Sequence, residues 1–246
     1  MNAFLLLFLH STALTVGQGG TSMGMLQSPD ALLYNPALIA RNISASVSYA
    51  YPYGLSGLRS LNFGVAYRGI SVAGAQFAVE DLYSEELVLA GYRRKFFRKL
   101  DIGLGVGIHS FFIDGYAREI VGVTTGGVRY RFGPVYLGGN FFAHTTKSVS
   151  FLSGSGNKLS NRFEVGFSLN KPSGVNWTFE GEPGKSLRAG VEVGFTEGFK
   201  IRMGIFNKRQ FTIGAGLSGK NWAFDFATLE HRELGTSYFF NLKFNR

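Results

Sequence analysis

The sequence predicts an all-β protein, an antiparallel transmembrane β-barrel of about fourteen strands with a short helical plug near its N-terminus. Three observations predict it. From residue 42 onward apolar residues recur at every second position, the period of a strand with one greasy face. The composition is rich in what curved strands and membrane-interface girdles use, with 34 glycines, 24 phenylalanines and 11 tyrosines against 6 prolines. No apolar run reaches the 18 or so residues that a membrane-spanning helix needs, so any crossing has to be made by strands.

The 246 residues show no Pro/Ser-rich linker between two halves and read as one large β domain behind a short N-terminal region. Residues 1–17 open on MNAFLLLFLHSTALTV, an apolar run too short to span and followed by small residues, which reads as a secretory leader although no Lys or Arg precedes it. Residues 18–41 read as the plug and residues 42–246 as the barrel. In the plug, Ser28 is placed to cap a turn that begins at Pro29 and carries Asp30 near its positive end. Pro36 forces Asn35 out of helical geometry, so the first turn ends at Tyr34 and Asn35 caps a second turn starting at Pro36 and Ala37.

Alternation and turn residues place strands near residues 42–51, 58–68, 70–78, 87–95, 100–111, 121–132, 135–142, 161–170, 175–181, 187–195, 199–206, 210–218, 222–229 and 235–244. Fourteen strands of about ten residues use ~140 of the ~205 residues after the plug, leaving about five per connection. The even-numbered connections read as tight turns and the odd-numbered ones as mostly longer, the longest being residues 143–160. That parity would put both chain ends and the tight turns on the periplasmic side. Alternation alone does not separate a sandwich core from a lipid-facing wall. The face opposite the apolar one carries Arg129, Arg131, Arg188, Glu192, Lys200, Arg202 and Asp225 among glycine and alanine, which suits a crowded, wet lumen. The formal charge of +9 is spread along the strands instead of clustered, so it argues for a basic lumen and against a nucleic-acid partner.

Two stretches carry a family resemblance. TSMGML followed by SPDALLYNPALIA resembles the N-terminal plug of the FadL-like outer-membrane barrels, whose hatch bears an Asn-Pro-Ala signature, here Asn35, Pro36 and Ala37. FDFATLEHRELGTSYFFNLKF, residues 224–244, resembles the last two strands of the PorV and PorQ branch of that superfamily. The second resemblance implies a structural or cargo-handling component beside a type IX secretion machine, with secretion proteins as partners. The first implies the alternative, a passive channel for hydrophobic or small amphipathic molecules. Either places the chain in the bacterial outer membrane, with lipid around it.

Chemistry-bearing motifs are sparse. The absence of cysteine excludes disulfides, thiolate metal sites and cysteine nucleophiles. His10, His109, His144 and His231 lack metal-ligand spacing, so no metal is expected. Gly214, Gly216 and Gly219 match a dinucleotide fingerprint but run from strand to strand without opening a helix, and no cofactor is expected. Glu230, His231, Arg232 and Glu233 group a base with carboxylates in one loop, yet no serine elbow accompanies them, so no enzyme is expected. RRKFFRK, residues 93–99, reads as a headgroup-level rim of cations and aromatics. Gly103, Gly105 and Gly107 read as small inward residues that leave room for the plug.

Overall fold

The computed structural model describes residues 12–23, 27–145, 161–170, 174–206 and 210–246. Most of the expected leader, His10, and nearly all of the longest expected loop lie outside these residues. The strands are β1 (Ser44–Tyr51), β2 (Leu58–Tyr67), β3 (Ile70–Val79), β4 (Tyr83–Phe96), β5 (Leu100–Ile113), β6 (Glu119–Phe132) and β7 (Val135–His144). They continue as β8 (Arg162–Asn170), β9 (Val175–Glu182), β10 (Ser186–Gly194), β11 (Phe199–Phe206), β12 (Gln210–Ser218), β13 (Trp222–His231) and β14 (Gly235–Asn245). Each pairs antiparallel with its neighbours in sequence, and β1 pairs with β14 from Ser44↔Asn245 to Tyr51↔Tyr238, closing a fourteen-strand barrel. Closure removes every sheet edge, the condition for a sheet to sit in hydrocarbon.

The alternation resolves into an inside and an outside. On β1, Ser44, Ser46, Ser48 and Ala50 are buried while Val47 and Tyr49 are exposed. On β5, Leu104 and Val106 are 61% and 62% exposed, and Asp101 and His109 on the other face are buried. The outer face is thus a belt of large apolar side chains and the inner face is polar or small, the inverse of a soluble sandwich. Among the described residues no helix is long and apolar enough to cross a membrane. The chain is an outer-membrane-type β-barrel.

The largest extension beyond expectation is in β4, which begins at Tyr83, four residues before the predicted start, and the added residues pair Tyr83↔Ile113 to Glu86↔Ser110 with β5. Acidic Glu85 and Glu86 hide that extension from a hydropathy pattern. The expected contrast between connections is weaker than predicted. Residues 80–82, 183–185 and 232–234, all odd-numbered connections, are as short as the turns at the opposite end. The two-residue turn between β2 and β3 has positive φ at both Arg68 (52°) and Gly69 (86°), the mirror-image turn whose twist matches the strands it joins.

Before β1 the chain lies within the barrel. Helix α1 (Ala13–Gly17) is followed by 3-10 turns at Pro29–Leu33 and Pro36–Leu38. Residues 12–17 lie inside the barrel in this structure: α1 packs against β12 and β13, with Ala13 and Val16 fully buried.

Candidate functional site

The lumen has two arcs, and the N-terminal segment crosses from one to the other. Against β8 to β13 lie residues 12–23. Thr12 opens α1 with reciprocal bonds, its Oγ1 accepting from Thr15 N (3.4 Å) and its N–H donating to Thr15 Oγ1 (2.9 Å). Beyond α1 the backbone comes so close to the wall that side chains are excluded. A Cβ on Gly190 would strike the Gln18 carbonyl, and one on Gly204 would strike the Gly19 amide. Gly19 N donates to Thr212 Oγ1 at 3.1 Å, and Ser22 N and Met23 N donate to Glu180 Oε2 at 2.6 and 3.2 Å.

This arc is built of interlocked ion pairs. Arg188 spans Glu164 and Glu180, and its Nη1 donates to the Gly20 carbonyl at 2.9 Å. Arg202 spans Glu192 (2.7 Å) and Asp225 (2.7 Å), and Lys200 adds a second contact to Glu192 at 2.9 Å. Gln18 Nε2 reaches Glu192 Oε2 at 3.3 Å, and Asn241 Nδ2 donates to Asp225 Oδ2 at 3.2 Å. Buried charges persist only when paired and hydrogen-bonded, and here every bridging arginine serves two carboxylates.

The opposite arc is apolar. Residues 29–33 lie on β1, β2, β3 and β4, and residues 36–38 on β4, β5 and β6. Ala31, Leu32, Leu33, Leu38 and Ile39 are fully buried against Ala73, Ala75, Leu87 and Leu89 of the wall. Asn35 Oδ1 accepts from Ala37 N at 3.0 Å and caps the second turn. A Cβ on Gly103 would meet the Pro36 carbonyl and one on Gly127 the Asn35 side chain. Gly105 faces Leu32, whereas Gly107 abuts Val88 and Leu89 of β4 and makes no room for the plug.

Ser28 does not cap through its side chain. Its hydroxyl donates to Asp30, its backbone N–H to the Leu38 carbonyl at 3.0 Å, and it bridges Ile39, tying the two turns into a closed loop. Pro29 fixes the first turn, and its carbonyl accepts from Ser71 Oγ at 2.6 Å. Asp30 is fully buried beneath Tyr34, whose hydroxyl donates to it at 3.4 Å, and burial pushes its carboxyl above the usual range. Among the polar residues read from the pattern, Arg129, Arg188, Glu192, Arg202 and Asp225 are buried, and Lys200 is partly so. Arg131 has inward parity but lies exposed at the rim, with Arg129 and Arg131 both stacked on Tyr136.

The pattern included Glu192 and Asp225, the partners of Lys200 and Arg202, and missed those of Arg129 and Arg188. Arg93, expected on the rim within RRKFFRK, points inward, where it pairs with Asp101 at 2.6 Å and donates to the Ile39 carbonyl at 2.8 Å. Asp101, Glu164, Glu180 and Lys243 all stand at positions that alternate with outward apolar residues, so strand parity applied along every strand finds them. His231 Nδ1 accepts from Glu233 N and Leu234 N, each at 3.2 Å, and so organises a turn. His109 Nδ1 and His144 Nε2 stand 3.0 Å apart between Phe111 and Phe142, and among the described residues no group of three metal-ligating side chains forms. The fingerprint glycines at 214 and 216 lie inside β12, facing α1 and Arg202.

This closed fourteen-strand barrel with its own N-terminal segment inside shares its fold with outer-membrane barrels of the FadL-like type. The toluene transporter TbuX of Ralstonia pickettii superposes with a TM-score of 0.72 at 11% identity, over 97% of this chain and 99% of that one. The toluene transporter TodX of Pseudomonas putida gives 0.67 at 10% identity over 97% and 99%, and a FadL homologue of Pseudomonas aeruginosa gives 0.62 at 11% over 95% and 97%. No protein-family model matches the chain, and no curated protein matches it by sequence. Two of these neighbours are described as toluene transporters and the third as a FadL homologue, and none is described as a secretion component. The resemblance of the closing strands to the PorV and PorQ branch finds no support in them.

Proposed function

We propose that the barrel is a passive outer-membrane channel for hydrophobic or small amphipathic molecules, gated by residues 28–40. The observation that carries this reading is the apolar arc. A channel for ions or sugars has no use for a lumen wall of leucine, phenylalanine and alanine, whereas a molecule that displaces the apolar 3-10 turns can replace their contacts with its own. The solved neighbours named for toluene transport support this choice over a secretion role. Asn35, Pro36 and Ala37 hold the gate's shape, and the ion pairs of Arg188, Glu192, Arg202 and Asp225 hold the segment that leads into it.

Initial uptake of labelled toluene by cells whose outer leaflet is lipopolysaccharide tests the proposal. Cells carrying the barrel should take it up faster than cells without it. Equal initial rates would overturn the channel reading.

A further inference from the structure

At the barrel end where β1 begins and β14 ends, a cavity of about 500 Å³ opens beside the plug. Met23, Gln27 and Ala40 form its roof. Its wall brings together Arg129, Lys220 and Lys243 with the side chains of Asn42, Asn170 and Asn245. Among the described residues no carboxylate lines it. The acids that act on these cations stand behind the wall: Asp101 pairs with Arg129 at 3.2 Å, and Asp30 and Asp225 act on Lys243 from the plug and from β13. Lys220, in the turn before β13, is exposed. The cavity therefore presents three cations to a solute and keeps their counter-charges out of its reach.

Its size and chemistry select an occupant. A volume of about 500 Å³ falls in the range that holds small organic ligands. Tyr136, stacked under Arg129 with the guanidinium 5.2 Å from the ring centroid, and Met23 offer a limited apolar surface for a compact body. The amides and cations around them suit a polar, charged head, and nothing in the lining resembles the long apolar trough that an extended alkyl chain requires.

One contact couples this cavity to the plug. Lys243 Nζ donates to the Gln27 carbonyl at 2.6 Å, so the lysine facing the cavity also fastens the start of the gate segment. We propose that this vestibule binds a small organic anion carrying a carboxylate, and that the anion draws Lys243 away from the Gln27 carbonyl and releases that end of the plug. The exchange replaces a neutral acceptor by a charged one, the stronger hydrogen-bond partner for an ammonium group. This inference concerns an effector site and stands apart from which molecule crosses the barrel.

Benzoate, with its neutral isostere benzamide as control, tests it on the full-length protein in detergent. Calorimetry should show saturable binding of benzoate and none of benzamide. Lys220→Gln, in an exposed turn, should weaken benzoate by about tenfold, the loss of one hydrogen bond to a charged group. Hydrogen exchange of residues 27–34 should rise on adding benzoate to the wild type. In Lys243→Gln it should already be raised, with no further response to benzoate. Absence of benzoate binding, equal binding of benzamide, or an unchanged affinity in Lys220→Gln overturns the site. Bound benzoate with unchanged exchange overturns the release. Toluene uptake that persists while benzoate fails to bind sinks this inference and leaves the channel reading intact, and the opposite pattern does the reverse.

Discussion

The two arcs of the lumen hold two parts of one segment by opposite means. The β1 to β6 arc holds residues 28–40 chiefly by apolar contact and by glycines that let backbone touch backbone, with Ser71 and Arg93 adding one bond each to the Pro29 and Ile39 carbonyls. The β8 to β13 arc holds residues 12–23 through carboxylates and arginines that bond to its main chain. Apolar contact is non-directional and tolerates exchange of one apolar partner for another. A buried ion-pair lattice is directional, and removing one member leaves the others uncompensated. The difference teaches which part is built to move. On the proposed channel reading, the ionic arc is the anchor, and the apolar arc is the surface from which a segment can be displaced by a ligand of like chemistry.

The largest break in this comparison should come from the anchor. Arg188→Leu strands Glu164 and Glu180 without their shared cation, and loss of one buried partner costs about 3–5 kcal/mol. The urea midpoint should fall, and residues 12–23 should become open to protease while residues 28–40 respond less. Gly103→Val attacks the other arc. The added methyls run into the Pro36 carbonyl, and overpacking of this kind costs about 1–3 kcal/mol. Hydrogen exchange should rise at residues 35–39 and stay unchanged at residues 15–20. A uniform rise across both parts would mean that the arcs are not separable.

The smallest effect is a pH dependence. Burial raises the Asp30 carboxyl above its unfolded value. In that window the folded state holds more protons than the unfolded one, so stability falls as pH rises. The contribution is fully present below the unfolded value of about 3.9 and is lost as pH climbs through the raised folded value. Asp30→Asn, which keeps the shape and cannot ionise, should flatten the fall in urea midpoint seen between acidic and neutral pH. An identical slope in both proteins would remove Asp30 from the explanation.

The wall was legible in the sequence because its rule is local. One face of each strand meets hydrocarbon, so period two is written into runs such as residues 102–108 and 211–217, and glycine or short polar turns end them. The break between Tyr34 and Asn35 was legible for the same reason, since Pro36 acts on its own neighbour. The ionic anchor was not. Arg188 meets Glu164 across two strand pairings, and Arg93 meets Asp101 across a turn that reads as a surface cluster. Such partners are set by register and parity, which involve several strands at once. A short apolar run with small residues looks the same whether it leads a chain across a membrane or packs inside a barrel, so residues 12–17 carry no local signal that separates the two. Ser28 stands at the N-cap position, but its hydroxyl bonds the Asp30 carboxyl group instead of a backbone N–H, a choice between partners that the local pattern does not encode.

The central claim is that the N-terminal segment closes the lumen and that its apolar half is the gate. Conductance in planar bilayers tests it most directly, comparing the full chain with a variant lacking residues 20–40, after both are shown to fold by their strand content. The variant should insert as a barrel and conduct ions, while the full chain should stay closed until a ligand displaces the turns. A deletion variant as closed as the full chain would contradict the claim.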